Sequence, residues 1–128
     1  MAAETDDLFV ATDADGDIGK LLEESFGARF EPTADGNPVL PVDQRTGIYL
    51  GPHEFGHTPL QEADGTWGDL PEAYRQWIQV RNLDRDYALQ MNIARRVFDV
   101  LERHGRWKIL LTHDLELVVD RYDPGQQD

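Results

Sequence analysis

The segment that decides the fold is DRDYALQMNIARRVFDVLERH, residues 84–104. Its apolar side chains recur every three or four residues, the spacing that places them on one face of an α-helix. The members of this stripe are Tyr87, Met91, Ala94, Phe98 and Leu101, widened by Leu89, Ile93, Val97 and Val100. Asp84 is a suitable N-cap, and Gly105 is typical of a residue that ends a helix. We therefore predict a long amphipathic helix that packs against a sheet.

Shorter patterns on both sides of this helix predict the sheet and a second helix. Buried strands are indicated at 8–12 and 107–111, and further strands at 28–31, 47–50 and 77–81. A helix is predicted over 18–26, with Asp17 as its cap and Gly27 at its end.

The tail of the chain, residues 115–122, fits both a helix and a strand. Leu115, Val118 and Val119 have helical spacing, whereas Leu115, Leu117 and Val119 alternate as in a strand. We predict a helix capped by Asp114, because a proline and a glycine follow at the distance expected after a helix end.

The predicted order of elements is β-α-β-β-β-α-β-α. It indicates an α+β fold, with a single mixed sheet packed against two or three helices. A chain of 128 residues suits a single domain over 1–128. Its ends, 1–6 and 124–128, are expected to be flexible. Residues 32–44 and 51–71 are expected to be loops.

Composition excludes several kinds of chemistry. The chain has no cysteine, which rules out disulfides, thiolate catalysis and cysteine-ligated zinc.

The net charge of the chain is −13, and most of the excess negative charge lies in residues 1–69. A negative field disfavours binding of nucleic acid through a basic face and favours a basic protein partner. No run approaches the roughly 20 apolar residues that span a bilayer, and the start lacks a basic leader. We therefore expect no membrane insertion and a cytoplasmic location.

The segment GPHEFGHTP, residues 51–59, contains the motif H-E-x-x-H as His53, Glu54 and His57. On a helix this spacing places two imidazoles on one face, where they bind zinc with the glutamate as general base. The five residues resemble the motif of zincin metalloproteases, which implies a metal-dependent hydrolase. Prolines on both sides leave about one and a half helical turns, and the sequence shows no third ligand. We therefore expect a loop and no cofactor, with zinc as the alternative.

An acidic cluster, Asp13, Asp15 and Asp17, follows the first predicted strand. The stretch FVATDADGD resembles the first motif of haloacid-dehalogenase-type phosphatases. That resemblance implies Asp13 as nucleophile, Asp15 as acid/base and magnesium between them. Asp17 stands where that family has threonine, and it adds negative charge where a phosphate would lie. A turn whose carboxylates complement the positive end of helix 18–26 explains every residue of the cluster.

These observations favour binding over catalysis. We expect a small acidic protein-binding module for a basic partner, with Asp13, Asp15 and Asp17 as candidate partner-binding residues. Immunity partners of bacterial toxins and other nuclease inhibitors are analogous in size and charge. A homodimer is a further possibility, because a mildly basic zone at 95–108 could dock on the acidic half. The alternative is a metal-dependent hydrolase, centred on His53, Glu54 and His57 or on Asp13 and Asp15.

Overall fold

A computed structural model describes residues 4–12, 15–34, 36–53 and 58–126. Within these residues the chain forms one eight-stranded mixed sheet and two α-helices, which confirms the predicted α+β class. The strands are β1 Asp6–Val10, β2 Val39–Pro41, β3 Thr46–Pro52, β4 Pro59–Gln61, β5 Trp67–Asp69, β6 Gln76–Asn82, β7 Ile109–His113 and β8 Leu117–Tyr122. The helices are α1 Asp15–Phe26 and α2 Tyr87–His104, and a short 3₁₀ turn covers Pro124–Gln126.

The strands lie side by side in the order β2-β3-β6-β1-β7-β8-β4-β5. Every neighbouring pair is antiparallel except β8 and β4, which run parallel. Strand β1 lies inside the sheet, and its Leu8 is paired with Ile78 on one side and Leu111 on the other. Both pairings are long-range, so the core of the sheet closes only when distant parts of the chain meet.

The two faces of the sheet are covered differently. Both helices pack on one face, where Leu8 and Val10 of β1 join the apolar side chains of α1 and α2 in the main core. On the opposite face, which we call the helix-free face, Phe9, Leu110 and Val118 form a smaller cluster. The alternation of side chains along a strand explains why neighbours in β1 belong to different cores.

Helix α2 begins two residues later than an Asp84 cap would place it. Its N-cap is Asp86, whose side chain accepts a hydrogen bond from the Leu89 N–H. The chain turns before the helix through Arg85, which has a φ of 60°. Gly105 ends α2 as predicted, in the left-handed conformation that glycine adopts without a steric penalty. In the described part of the chain, neither helix is both long and apolar enough to cross a membrane.

The predicted helix at 115–122 is wrong, because residues 117–122 form β8, paired antiparallel with β7. The chain reverses at Asp114 and Leu115, which both have a φ of 56°, and the Glu116 N–H closes the turn on the His113 carbonyl. Asp114 therefore caps no helix. Pairing with β7 provides backbone partners that the local spacing could not reveal.

Three short strands lie in segments predicted to be loops. They are β2, β4 and β5, so the observed order is β-α-β-β-β-β-β-α-β-β. The strand predicted at 28–31 is reduced to a single bridge between Glu31 and Val39. Strands of three residues carry too few side chains for a periodic signal.

Candidate functional site

The acidic cluster and the histidine segment follow strands that end at the same edge of the sheet. Val10 at the end of β1 and Pro52 at the end of β3 are both paired with Gln76 of β6. Asp13, Glu54 and His57 lie outside the described residues. Asp15 is the first residue of α1, and Asp17 is exposed in its first turn.

His53 contributes to packing on the helix-free face. Its ring meets the Phe9 ring edge-on, with the ring centres 5.1 Å apart, and its Nε2 lies 3.2 Å from the Thr58 hydroxyl. Burial lowers the pKa of His53 and so favours the neutral form of the ring. Since α1 covers the other face, the sheet separates His53 from Asp17. The described residues contain no group of three histidine or carboxylate side chains able to hold one metal ion.

Strand β1 carries a fully buried carboxylate on the helix-free face that the sequence analysis missed. Asp7 accepts hydrogen bonds from the Trp77 indole at 2.6 Å, from Gln79 at 3.2 Å and from the Thr5 hydroxyl at 2.6 Å. Burial raises the pKa of Asp7 to about 6, although all three hydrogen bonds oppose the shift. The run of apolar residues after Asp7 signalled a strand, but nothing local showed that the strand begins before it.

A second buried carboxylate, Asp6, points to the helix side. Its two oxygens lie 2.8 Å from His113 Nδ1 and 2.9 Å from Gln90 Nε2. The other ring nitrogen of His113 lies 3.3 Å from the Glu4 carboxylate. The hydrogen bond with Asp6, supported by the charges of Asp6, Glu4 and Asp114, raises the pKa of His113. His113 therefore joins the N-terminal segment to β7.

Asp6 and His113 resemble a catalytic acid/base pair in their hydrogen bond, but their surroundings differ from those of an active site. Asp6 is fully buried and orients His113, as a carboxylate orients a catalytic histidine. The other ring nitrogen of His113 faces the Glu4 carboxylate, where a catalytic pair would hold a hydroxyl or thiol for the histidine to deprotonate. The arrangement indicates a structural latch between β1, β7 and α2.

The helices leave one end of the sheet uncovered. Helix α2 packs on β6, β1 and β7 and reaches β8 through the ion pair between Arg95 and Asp120. The three strands beyond β7, namely β8, β4 and β5, extend past the helices, and we call them the wing. Trp67 on β5 is 55% exposed and Leu117 on β8 is 41% exposed.

The exposed apolar residues of the wing share one face. Trp67 is paired with Gln61, and Gln61 is paired with Leu117. Their side chains point away from Leu60 and Val118, which lie in the helix-free cluster. Trp67, Gln61 and Leu117 thus form a row on the helix side of the sheet, beyond the reach of α2. We call this row the wing surface.

The wing is rich in carboxylates, which we call its acidic rim, although Glu62 points to the helix-free face and Asp120 pairs with Arg95 of α2. The wing and its turns, residues 59–69 and 114–122, contain six acidic residues and one basic residue. The acidic residues are Glu62, Asp64, Asp69, Asp114, Glu116 and Asp120. The basic residue, Arg121, forms an ion pair with Glu62. An exposed tryptophan and leucine on an acidic part of the sheet are typical of a surface that binds another protein.

A comparison of the chain with protein-family profiles, with curated proteins and with solved structures finds no match.

Proposed function

We propose that this chain is a small acidic protein-binding module that binds a basic protein through the wing surface. The observation that carries the proposal is the exposure of Trp67 and Leu117 in one row of an uncovered part of the sheet. Aromatic side chains surrounded by a polar rim contribute a large share of the binding energy at protein interfaces.

Charge selects the class of partner. The rim of the wing is strongly acidic, and the whole chain has a net charge of −13. Attraction between opposite fields accelerates encounter with a basic protein and weakens as salt screens it. An enzyme whose substrate site is basic would be inhibited by such binding, as in immunity-like proteins.

A second copy of the chain fits this surface less well than a basic protein does. Two acidic rims repel each other when the same surfaces meet. Three of the five arginine and lysine residues in the basic zone that could dock on them have partners elsewhere in the chain. Arg95 pairs with Asp120, Arg96 bonds to the Ser25 carbonyl and covers the Phe26 ring, and Lys108 lies 3.7 Å from Asp123.

The test begins with capture of basic proteins by the tagged chain at about 50 mM salt, a concentration at which charge attraction is only partly screened. The captured protein is purified and titrated by calorimetry. We expect Trp67→Ala and Leu117→Ala each to weaken binding about tenfold or more, as hot-spot residues do. Leu83→Ala is the matched control, because Leu83 is equally exposed, at 57%, but lies between β6 and α2.

Two results would contradict the proposal. One is the absence of any basic protein that binds in a salt-dependent way. The other is a partner whose affinity is unchanged by both wing substitutions. If Asp17→Asn weakens binding instead, the partner binds near the N-terminus of α1, where the acidic cluster of the sequence lies.

A further inference from the structure

The helix-free face of the wing contains a pocket of about 200 Å³. Its floor is formed by Leu60, Leu110 and Val118, which stand on the neighbouring strands β4, β7 and β8. The connection from β5 to β6 crosses this face, and its Leu70 and Tyr74 pack against the floor and line the pocket as well. The pocket therefore has an apolar interior and lies on the opposite side of the sheet from the wing surface.

Gly68 leaves one wall of this pocket open. It is paired with Leu60 across β5 and β4, so a side chain at this position would extend on the pocket's face of the sheet. A methyl group there would meet no atom within 4 Å, and the φ of Gly68 is not in the left-handed region. Neither backbone geometry nor packing among the described residues therefore requires a glycine here. Glycine inside a strand often marks a place where a ligand approaches the backbone closely.

Two hydrogen-bond donors line the pocket. Arg121 is paired with Leu110 across β8 and β7, so its side chain stands on the pocket's face. One terminal nitrogen of its guanidinium contacts Glu62, and the side chain remains 57% exposed with further N–H groups to donate. Burial raises the pKa of Tyr74, and the charge of Arg121 opposes that shift, which indicates that the two groups lie near each other. Among the described residues, no hydrogen bond engages the Tyr74 hydroxyl.

The charges in the pocket favour an uncharged ligand. Glu62 and Asp69 line it together with Arg121. Both carboxylates already interact within the chain, Glu62 with Arg121, so an ammonium group would find no unpaired partner. A carboxylate would gain little from an arginine that is already neutralised, and the net charge of −13 repels it. The oxygen of an uncharged group can accept from the two donors without either penalty.

The volume of the pocket suits a single ring. A cavity of about 150 Å³ lined by aliphatic side chains binds benzene. At about 200 Å³, this pocket has room for such a ring and one small polar substituent. We infer that the pocket binds a small uncharged aromatic molecule, whose ring lies on the apolar floor and whose carbonyl or hydroxyl oxygen accepts hydrogen bonds from Tyr74 and Arg121. This site is separate from the wing surface and does not depend on the proposed function.

The test titrates the full chain with benzamide and with benzoate, which share a ring and differ in charge. Binding is followed by NMR through the ring-current shifts of the Val118 methyl signals, which are assigned by their loss in Val118→Ile. We expect benzamide to shift these signals in a saturable way with a Kd of about 1 mM, a modest affinity for roughly nine non-hydrogen atoms. Benzoate should bind roughly fivefold or more weakly, because of the negative field.

Variants at the pocket separate this binding from general association with the surface. Gly68→Val should abolish benzamide binding, because its side chain occupies the pocket, and should keep or raise the melting temperature, since valine suits a strand better than glycine. Should Gly68→Val fail to fold, Gly68→Ala should still weaken binding. Tyr74→Phe retains the ring but loses the donor, so it should weaken benzamide binding severalfold. Trp67→Ala is the control and should change nothing, because Trp67 lies on the opposite face of the same strand.

Three results would overturn the inference. They are Val118 signals that benzamide does not shift in a saturable way, benzoate binding as tight as that of benzamide, and benzamide binding that is unaffected by the Gly68 substitutions. The proposed function is decided separately, by the effect of Trp67→Ala and Leu117→Ala on the protein partner. A partner that binds the wing surface of a chain unable to bind benzamide would contradict this inference alone.

Discussion

The indole of Trp77 donates a 2.6 Å hydrogen bond to Asp7, and this bond joins β6 to β1 on the helix-free face. The same carboxylate accepts from Thr5 and Gln79. Three donors favour the charged form, but burial outweighs them and raises the pKa of Asp7 to about 6. The carboxylate is therefore ionised at neutral pH at a cost to the stability of the fold.

We predict that stability falls as the pH rises from about 4 to 6. The unfolded chain has an Asp7 pKa near 3.8 and the folded chain one of about 6, so the folded state binds more protons in this window. The difference between these two pKa values corresponds to about 3 kcal/mol at most. Urea unfolding measured at several pH values checks this.

Asp7→Asn should remove the fall in stability between about pH 4 and 6. It should also stabilise the chain at pH 7.5 by roughly 1–3 kcal/mol, because the buried carboxylate no longer has to be ionised. Its carbonyl can accept from Trp77 and Gln79, and its amide can donate to the Thr5 hydroxyl. Asp7→Ala is the control, and it should destabilise the chain because it leaves the buried donors without an acceptor. An unchanged pH profile in Asp7→Asn would assign the dependence to another group.

A second pH effect should come from His113. Its pKa is raised above the usual 6.5 by the hydrogen bond with Asp6 and by nearby carboxylates. The protonated ring therefore contributes stability that is fully present below pH 6.5 and is lost as the pH rises through the raised pKa.

His113→Gln should flatten the stability profile between pH 6 and 9 and lower stability most at the acidic end. The measurement is urea unfolding across that range. His104→Gln provides the control, because the His104 ring is exposed and lies against Trp107 rather than a carboxylate. If the two variants show the same pH slope, the Asp6–His113 contact makes no such contribution.

Asn82 should be among the polar residues whose substitution lowers the stability of the fold most. Its side chain donates to Thr46 at 2.8 Å and accepts from the backbone N–H groups of Asp84 and Asp86, each at 2.9 Å. Its own N–H donates to Gln90 of α2 at 2.8 Å. These bonds set the turn from which α2 starts.

Asn82→Ala should lower the free energy of unfolding by about 2 kcal/mol, since it leaves several polar groups without partners. Thermal unfolding and denaturant titration measure the loss. Asn82→Asp should cost less than Asn82→Ala at acidic pH, because a protonated carboxyl still accepts both backbone bonds without placing a buried charge beside Asp84 and Asp86. Equal losses in the two variants would show that the acceptor role is unimportant.

The histidine motif yields a prediction about zinc. His53 packs on Phe9 with its Nε2 near Thr58, so the ring is already engaged on the helix-free face. We expect purified protein to contain far less than one zinc per chain, and added zinc to leave the melting temperature unchanged. Elemental analysis of wild type and His57→Ala checks this. Stoichiometric zinc that disappears in His57→Ala would favour a metal-dependent hydrolase instead.

Much of the fold was predictable because its long elements carry periodic signals. Helix α2, helix α1 and the strand pattern around Ile78 and Val80 were identified from spacing alone. The wing was not identified from the sequence, because β4 and β5 have three residues each and the spacing in β8 also fitted a helix. The exposure of Trp67 and Leu117 was therefore invisible until the strands were placed.

By itself, the sequence determined the α+β class, the amphipathic helices, the acidic charge and the exclusion of cysteine chemistry, since these depend on composition and on neighbours a few residues away. Tertiary structure alone decided that Asp6 meets His113, 107 positions away along the chain, and that Asp7 is buried beside Trp77. It also decided which strands extend beyond the helices. Such contacts depend on long-range pairing and on which surfaces remain uncovered, and no local pattern in the chain encodes either.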